Sequence, residues 1–351
     1  MRLLISGGGT GGHLFPALAV ALALRAEEPG DEVLMVGRSG GPEERLVPAA
    51  GFELATVAVR GLDRDAPWRN LALPALLPGA AVRGAHIVDR FRPDVVLGMA
   101  GYVMTPAVAA ARWKRLPYVL HEQNVAPGLA TRMFARAAAA VCVTFPGTAG
   151  RLPRARVVET GLPLRPGFEA RTPACPPRRL LVTGGSQGAR RLNEAVWAAL
   201  DGLLARFGEV VHLTGRQGAA EADRRRRPGY RPLAFTDEMA RLLGEADALV
   251  SRAGVGTLAE AAAVGLPLVL VPGTFGGGHQ EENARALVEA GAALRIADDA
   301  LDGPTLLATL DAVIPERWRS MAAASRAFGR RDAAARVLGV LREAAGRGPG
   351  A

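Results

Sequence analysis

Short apolar runs alternate with small-residue turns and helical stretches along the whole 351-residue chain. The first run, Leu3, Leu4 and Ile5, enters the loop GGGTGGH. A helical run, FPALAVALALRAEE, follows with Pro16 in its first turn. Further strand-length runs lie at 33–36 (VLMV), 94–97, in LPYVLHEQN, at 138–145, at 209–215, in DALV and in PLVLV. Runs this short and this apolar read as buried strands, and the stretches between them as helices. The last stretch, DAAARVLGVLREAAGRGPG, reads as an amphipathic helix with a frayed tail.

The opening phrase returns half a chain later as RLLVTGGSQGAR at 179–190. Ile5 is matched by Val182 and Ser6 by Thr183. Gly7, Gly8 and Gly11 are matched by Gly184, Gly185 and Gly188, and His13 by Arg190. Each copy leads a strand into a glycine loop and then a helix. That arrangement brings backbone N–H groups and the positive end of a helix up to a phosphate. Two similar α/β domains are expected, each opening with a phosphate-binding turn. The prolines and glycines at 161–168 mark the linker, which puts the boundary between 1–162 and 163–332.

Composition supports two cores, with 49% hydrophobic residues and a mean hydropathy of +0.13. The net charge is +9, nearly all of it arginine, since Lys114 is the only lysine. An anionic partner fits that balance: nucleic acid, a phosphorylated substrate or an anionic membrane. The arginine run 224–227 reads as a solvated helix end, and no nucleic acid is expected. Cys142 and Cys175 lie in different expected domains without metal-ligand spacing, so free thiols are expected. The first strand begins at Arg2, which leaves no room for a signal peptide, and no apolar run is long enough to span a bilayer.

Several stretches carry candidate chemistry. Residues 67–82 gather Trp68, Leu71, Leu73, Leu76 and Leu77 between Arg60, Arg64, Arg69 and Arg83, with prolines limiting any helix. They read either as a core-packing helix or as an apolar patch with a basic rim for an anionic membrane surface. His121, Glu122, Gln123 and Asn124 end a strand and are poor core material. In 247–272 a strand ends at Ser251 and a helix begins near Gly256, with Glu260 in its first turns. Its free N–H groups suit phosphate. His279 and Gln280 follow a glycine run and precede another helix. Gly7, Gly9 and Gly12 fit GxGxxG, but Arg38 stands where an NAD enzyme would carry an acidic residue, so an NAD reading weakens and an NADP reading survives.

The motifs GGGTGGH, GMAGY, HEQN, GGSQGA, SRAG…TLAE and HQEENA occur in this order over nearly the whole chain. Together they resemble the MurG family, the family 28 glycosyltransferases of bacterial peptidoglycan synthesis. The resemblance implies a GT-B fold, an α/β architecture of two Rossmann-like doubly wound parallel-sheet domains facing a cleft. It implies inverting transfer of GlcNAc from UDP-GlcNAc to undecaprenyl-pyrophosphoryl-MurNAc-pentapeptide (lipid I), giving lipid II. The setting it implies is the cytoplasmic face of the bacterial plasma membrane, with the protein peripheral on an anionic surface. By the same resemblance the N-terminal domain takes the lipid acceptor and the C-terminal domain UDP-GlcNAc, and the final helix, about 333–346, packs back onto the N-terminal domain.

Carried over by position, Thr10, Gly11, Gly12 and His13 lie near the acceptor and the transferred sugar. Asn124 touches the sugar, Arg165 the donor phosphates and Ser186 a donor phosphate. Thr236 meets uracil through its backbone. Val255, Gly256, Thr257, Leu258, Ala259 and Glu260 hold the phosphate and ribose, with Glu260 on the ribose hydroxyls. His279 and Gln280 read the GlcNAc hydroxyls. The sequence departs from the family at Leu162, where Asn is usual, at Ala100, often Gly, and at 276–278, often polar.

Displacement of UDP at the anomeric carbon needs stabilised pyrophosphate charge and a base for the acceptor hydroxyl. Arg165, Ser186 and the helix start near Gly256 supply the first. His13 is the candidate base, kept neutral at a helix N-terminus, with Glu122 in reserve. No Asp-x-Asp pattern calls for a metal, and no cofactor is expected. The competing readings are a sugar-nucleotide epimerase or hydrolase of the same fold, an NADP oxidoreductase, and a non-catalytic membrane scaffold that binds UDP-sugars.

Overall fold

The computed structural model describes residues 1–61, 68, 73–185, 187–274, 278–313 and 317–346, without the side chains of 73–77. The chain divides into two compact units, one of Met1–Pro166 with the chain from Asp332 onward, the other Gly167–Arg331.

Among the described residues the first unit holds β1 (Arg2–Ser6), β2 (Glu32–Arg38), β3 (Glu53–Val57), β4 (Val95–Gly98), β5 (Tyr118–Glu122), β6 (Ala140–Val143) and β7 (Val157–Glu159). They lie in the order β3-β2-β1-β4-β5-β6-β7, and every pair is parallel. Alternate residues of β1 serve opposite faces of the sheet. Leu3 and Ile5 join a core with Leu14 and Ala17 of helix Gly11–Glu27. Leu4 joins a second core with Ile87, Val88, Met104 and Val108. Helix Ala333–Ala344 adds Val337, Leu338 and Leu341 to the first core. It is also tied by the ion pairs Arg342–Glu27 and Glu343–Arg156, each 2.8 Å.

The second unit holds β8 (Arg179–Thr183), β9 (Glu209–Leu213), β10 (Tyr230–Leu233), β11 (Ala248–Ser251), β12 (Leu268–Leu270) and β13 (Ala293–Arg295). Their order is β10-β9-β8-β11-β12-β13, again parallel throughout. Asp247, just before β11, accepts from the N–H groups of Ala174, Arg178 and Arg179 and from Arg171, which fixes the entering chain to this sheet.

Both sheets place their first strand centrally and reverse direction between the first and fourth. Ile5 pairs with Met35 on one side and Leu97 on the other, and Val182 likewise pairs with His212 and Val250. At such a switch point the loops leaving the two strands part, and ligands bind between them. Here those loops are the two glycine phrases and their partners, 99–102 after β4 and 252–254 after β11.

One expectation fails. Prolines do not limit the helix around residue 78: helix Leu73–Phe91 runs through Pro78. An interior proline costs about 3 kcal/mol in a free helix. Packing offsets it, with Ile87 and Val88 buried and Gly84 pressed onto the Pro106 carbonyl of helix Thr105–Trp113. A Cβ at Gly84 would lie 2.5 Å from that oxygen, so the close crossing needs glycine.

Candidate active site

In the first unit, β1 ends at Ser6 and the chain turns through Gly7, Gly8 and Gly9 to Thr10, the residue before helix Gly11–Glu27. Thr10 is extended (φ −144°, ψ 157°), and its carbonyl accepts from the N–H of His13 at 3.2 Å and of Leu14 at 3.1 Å. Its hydroxyl is not used to cap the helix and lies 3.0 Å from Nδ1 of His13. Gly101, at φ 68°, faces the imidazole; a Cβ there would stand 3.3 Å from Cε1 and 3.4 Å from Nε2. His13 is half-buried by its own exposure, yet the protein around its ring desolvates the imidazolium and lowers its pKa to about 4.

His121 on β5 is wholly buried and donates from Nε2 to the Gly161 carbonyl at 2.9 Å. Burial holds its pKa near 4 as well, with the nearby charge of His13 a smaller contribution in the same direction. The two imidazoles therefore share one neighbourhood.

Glu122 does not fit the reserve-base role. Its carboxylate accepts from the N–H of Gln123, Asn124 and Gly128 at 3.0–3.1 Å and from the Thr131 hydroxyl at 2.6 Å. Four donors leave it a holder of its own loop. That loop presents Asn124, half-buried, whose carbonyl takes the Thr148 hydroxyl. Arg165 lies 4.2 Å above the Phe15 ring, one helical turn from the loop. Leu162 is buried, so the usual Asn has been exchanged for core. Ala100 keeps a left-handed backbone (φ 48°) in place of the usual Gly.

The first glycine turn also departs from expectation. The N–H of Gly9, read as a phosphate donor, is given to Oε1 of Glu43. Sequence reasoning missed Glu43; the signal was present as Gly37, Gly40 and Gly41 just ahead of Pro42-Glu43.

In the second unit, Gly184 and Gly188 are packed tightly against Ala189 and the Thr214 carbonyl, and Gly185 donates to the Thr183 hydroxyl at 3.1 Å. Ser186 lies outside the described residues. The two loops are not superposable in length. Helix Arg190–Ala198 begins at Arg190, whereas His13 is the third residue of its helix. Behind the loop runs a directed chain of hydrogen bonds: Trp197 Nε1 to Tyr230 hydroxyl, that hydroxyl to His212 Nδ1, His212 Nε2 to Asn193 Oδ1, and Asn193 Nδ2 to the Thr214 carbonyl. Only neutral His212 fits it, and burial depresses its pKa to about 3.

Helix Val255–Val264 starts after Gly254 at the end of β11. A Cβ at Gly254 or Gly256 would meet nothing within 4 Å, so the helix start has open space beside it. Gly256, Thr257, Ala259 and Glu260 are half-buried, but the side chains of Val255 and Leu258 face the core. Those two can serve a ligand only through their backbone. Arg252, buried and unassigned from sequence, donates to the Val271 carbonyl at 3.1 Å and pairs with Asp298. It thereby ties the end of β11 to the loop leading to His279 and Gln280. Gln280 Oε1 accepts the Gly273 N–H at 2.9 Å, leaving its amino group as the part suited to a sugar hydroxyl. The Thr236 hydroxyl accepts from the N–H of Glu238 at 3.0 Å.

Of the apolar patch, Trp68 is 68% exposed, Leu71 lies outside the described residues, and the side chains of Leu73, Leu76 and Leu77 are not described. Two further apolar residues unremarked in the sequence are exposed: Val82 at 71% on helix Leu73–Phe91 and Trp113 at 78% on the helix packed against it. Arg112, Lys114 and Arg115 surround Trp113 in sequence. No described helix is long and apolar enough to cross a membrane. Among the described residues, no three His, Cys, Asp or Glu side chains gather as a metal site.

Family models match both halves, the glycosyltransferase family 28 N-terminal domain over residues 3–143 and the family 28 C-terminal domain over 179–337. A protein of Desulforudis audaxviator, named UDP-N-acetylglucosamine–N-acetylmuramyl-(pentapeptide) pyrophosphoryl-undecaprenol N-acetylglucosamine transferase, is 40% identical over 99% of this chain and 100% of its own length. A Nocardioides protein of the same name is 41% identical over 98% of each. The chain belongs to this family of N-acetylglucosaminyltransferases. The crystal structure of Acinetobacter baumannii MurG is 28% identical, with a TM-score of 0.81 over 97% of this chain and 99% of that one. The family assignment accounts for both sheets sharing one strand order and for a glycine loop at each switch point.

Proposed function

We propose that this chain transfers GlcNAc from UDP-GlcNAc to undecaprenyl-pyrophosphoryl-MurNAc-pentapeptide, with inversion at the anomeric carbon and His13 as the general base. End-to-end identity of about 40% to transferases of that name carries the reaction and its substrates. The local geometry supports the base. With Nδ1–H donating to the Thr10 hydroxyl, Nε2 keeps its lone pair, and Gly101 leaves room beside it. As the acceptor oxygen bonds to the sugar's anomeric carbon and the bond to UDP breaks, Nε2 takes the hydroxyl proton. A pKa near 4 makes His13 neutral but weakly basic. Proton transfer is best served near the working pH, and a bound anion raises an imidazole's pKa. The acceptor's own pyrophosphate supplies such an anion.

In this reading the second unit holds the donor. The open start of helix Val255–Val264 receives the pyrophosphate with Ser186, and Glu260 takes the ribose. The Thr236 backbone takes uracil, and His279 and Gln280 take the sugar. Trp68, Val82 and Trp113 rest on the cytoplasmic membrane face, where the lipid acceptor resides, among arginines suited to anionic headgroups. The deciding experiment is incubation of the purified protein with UDP-GlcNAc and a short-chain lipid I analogue. Release of UDP with formation of a GlcNAc–MurNAc disaccharide is expected. UDP release without the disaccharide would mean hydrolysis instead.

A further inference from the structure

Glu43 opens helix Glu43–Ala49 and is wholly buried. Its Oε1 accepts the N–H of Gly9, and its Oε2 is buried with no hydrogen-bond partner. Glycines from three stretches make the space it fills. A Cβ at Gly8 would overlap Oε1, one at Gly41 would overlap Oε2, and one at Gly37 would lie 2.8 Å from Glu43 Cβ. Gly8 (φ 147°) and Gly9 (φ 80°) both hold backbone conformations that L side chains rarely adopt.

A carboxylate oxygen on a glycine-loop amide makes the same charge-assisted bond that a phosphate oxygen would. We propose that the Glu43 carboxyl is the resident occupant of the first glycine loop. Glu43 is a positioning residue that fixes Gly8 and Gly9, and through them Thr10 and His13. It also takes the Gly9 N–H from any phosphate, so the acceptor's pyrophosphate approaches His13 without that amide. The second loop has its helix start two residues later and no described carboxylate bonded to its glycines. The two similar phrases thus do different work: one is filled by an internal carboxyl, the other remains open for the donor.

The kinetic half of this inference rests on the proposed role of His13; the binding half does not. Glu43→Ala is expected to lower kcat roughly 10–100-fold, the range for a misplaced catalytic group, with the KM for UDP-GlcNAc unchanged. Glu43→Gln keeps an oxygen for Gly9 and is expected to restore kcat to within several-fold of wild type. With UDP saturating the donor site, calorimetric titration with inorganic pyrophosphate supplies the second readout. The alanine variant is expected to bind it at least about tenfold tighter than wild type, because the Gly9 N–H and the space beside it are freed, whereas the glutamine variant, which keeps Gly9 occupied, is expected to bind it as wild type does. An alanine variant with wild-type kcat, a glutamine variant as slow as alanine, or pyrophosphate affinity equal in all three proteins would overturn the assignment. Wild type without transferase activity would instead count against the proposed function, leaving the titration to judge Glu43.

Discussion

His13 carries the most specific consequence of the local geometry. His13→Ala is expected to lower turnover by roughly 10²–10⁴, the usual contribution of a general base, while UDP-GlcNAc binding stays near wild type. Steady-state kinetics with calorimetry of the donor check both halves, and near-normal turnover would remove His13 from the mechanism. Ala100 offers a stability test. Its left-handed backbone strains a residue with a Cβ, so Ala100→Gly is expected to stabilise by about 1 kcal/mol, read as a higher urea midpoint. Gln280 bears on sugar choice. A site that hydrogen-bonds one hydroxyl rejects the epimer that misplaces it. Gln280→Ala is expected to lose most of the preference for UDP-GlcNAc over UDP-GalNAc, through a lower kcat/KM for the former. An unchanged ratio would move recognition to His279 or Asn124.

Among the elements, every interior strand of both sheets was legible in the sequence, and the four edge strands were not. β3, β7, β10 and β13 lie at the sheet margins. An edge strand is covered on fewer sides and needs no continuous apolar run: β7 has no buried residue and β13 a single one. Helix Leu73–Phe91 shows the opposite error, since a local breaker, Pro78, was overruled by packing. The same helix and its neighbour expose Val82 and Trp113. Exchanging both for serine is expected to weaken binding to anionic vesicles by about tenfold or more, given the apolar area lost. Activity on a water-soluble acceptor should persist. Vesicle sedimentation at low and high salt measures it, and equal binding by the double variant would place the membrane face elsewhere.

For the whole molecule, desolvated imidazoles set the response to acid. His13, His121 and His212 have folded pKa values near 4, 4 and 3, below the ordinary 6.5. Above 6.5 neither the folded nor the unfolded chain protonates them, and their contribution is fully present. As pH falls below 6.5 the unfolded chain binds protons that the folded chain refuses. Stability therefore drops by up to about 1.4 kcal/mol per pH unit for each histidine, continuing toward the folded values. Urea unfolding between pH 7 and 5, above the carboxylate range, should show this loss, and a flat profile would contradict it.

The sequence by itself determined the two-domain parallel α/β plan, the interior strands, both glycine phrases and the family. Each of these is written in local apolar period, glycine placement or motif order, which neighbours along the chain suffice to specify. Only the tertiary structure decided which groups are free to act. Glu43 lies 34 residues from Gly9, and nothing local says that its carboxylate fills the first loop. Glu122 reads as a candidate base until four donors from its own folded loop are seen to occupy it. Val255 and Leu258 read from sequence as part of a binding motif, yet the helix turns their side chains into the core. Hydrogen-bond satisfaction and desolvation arise between segments distant in sequence, so they appear only when the chain is folded.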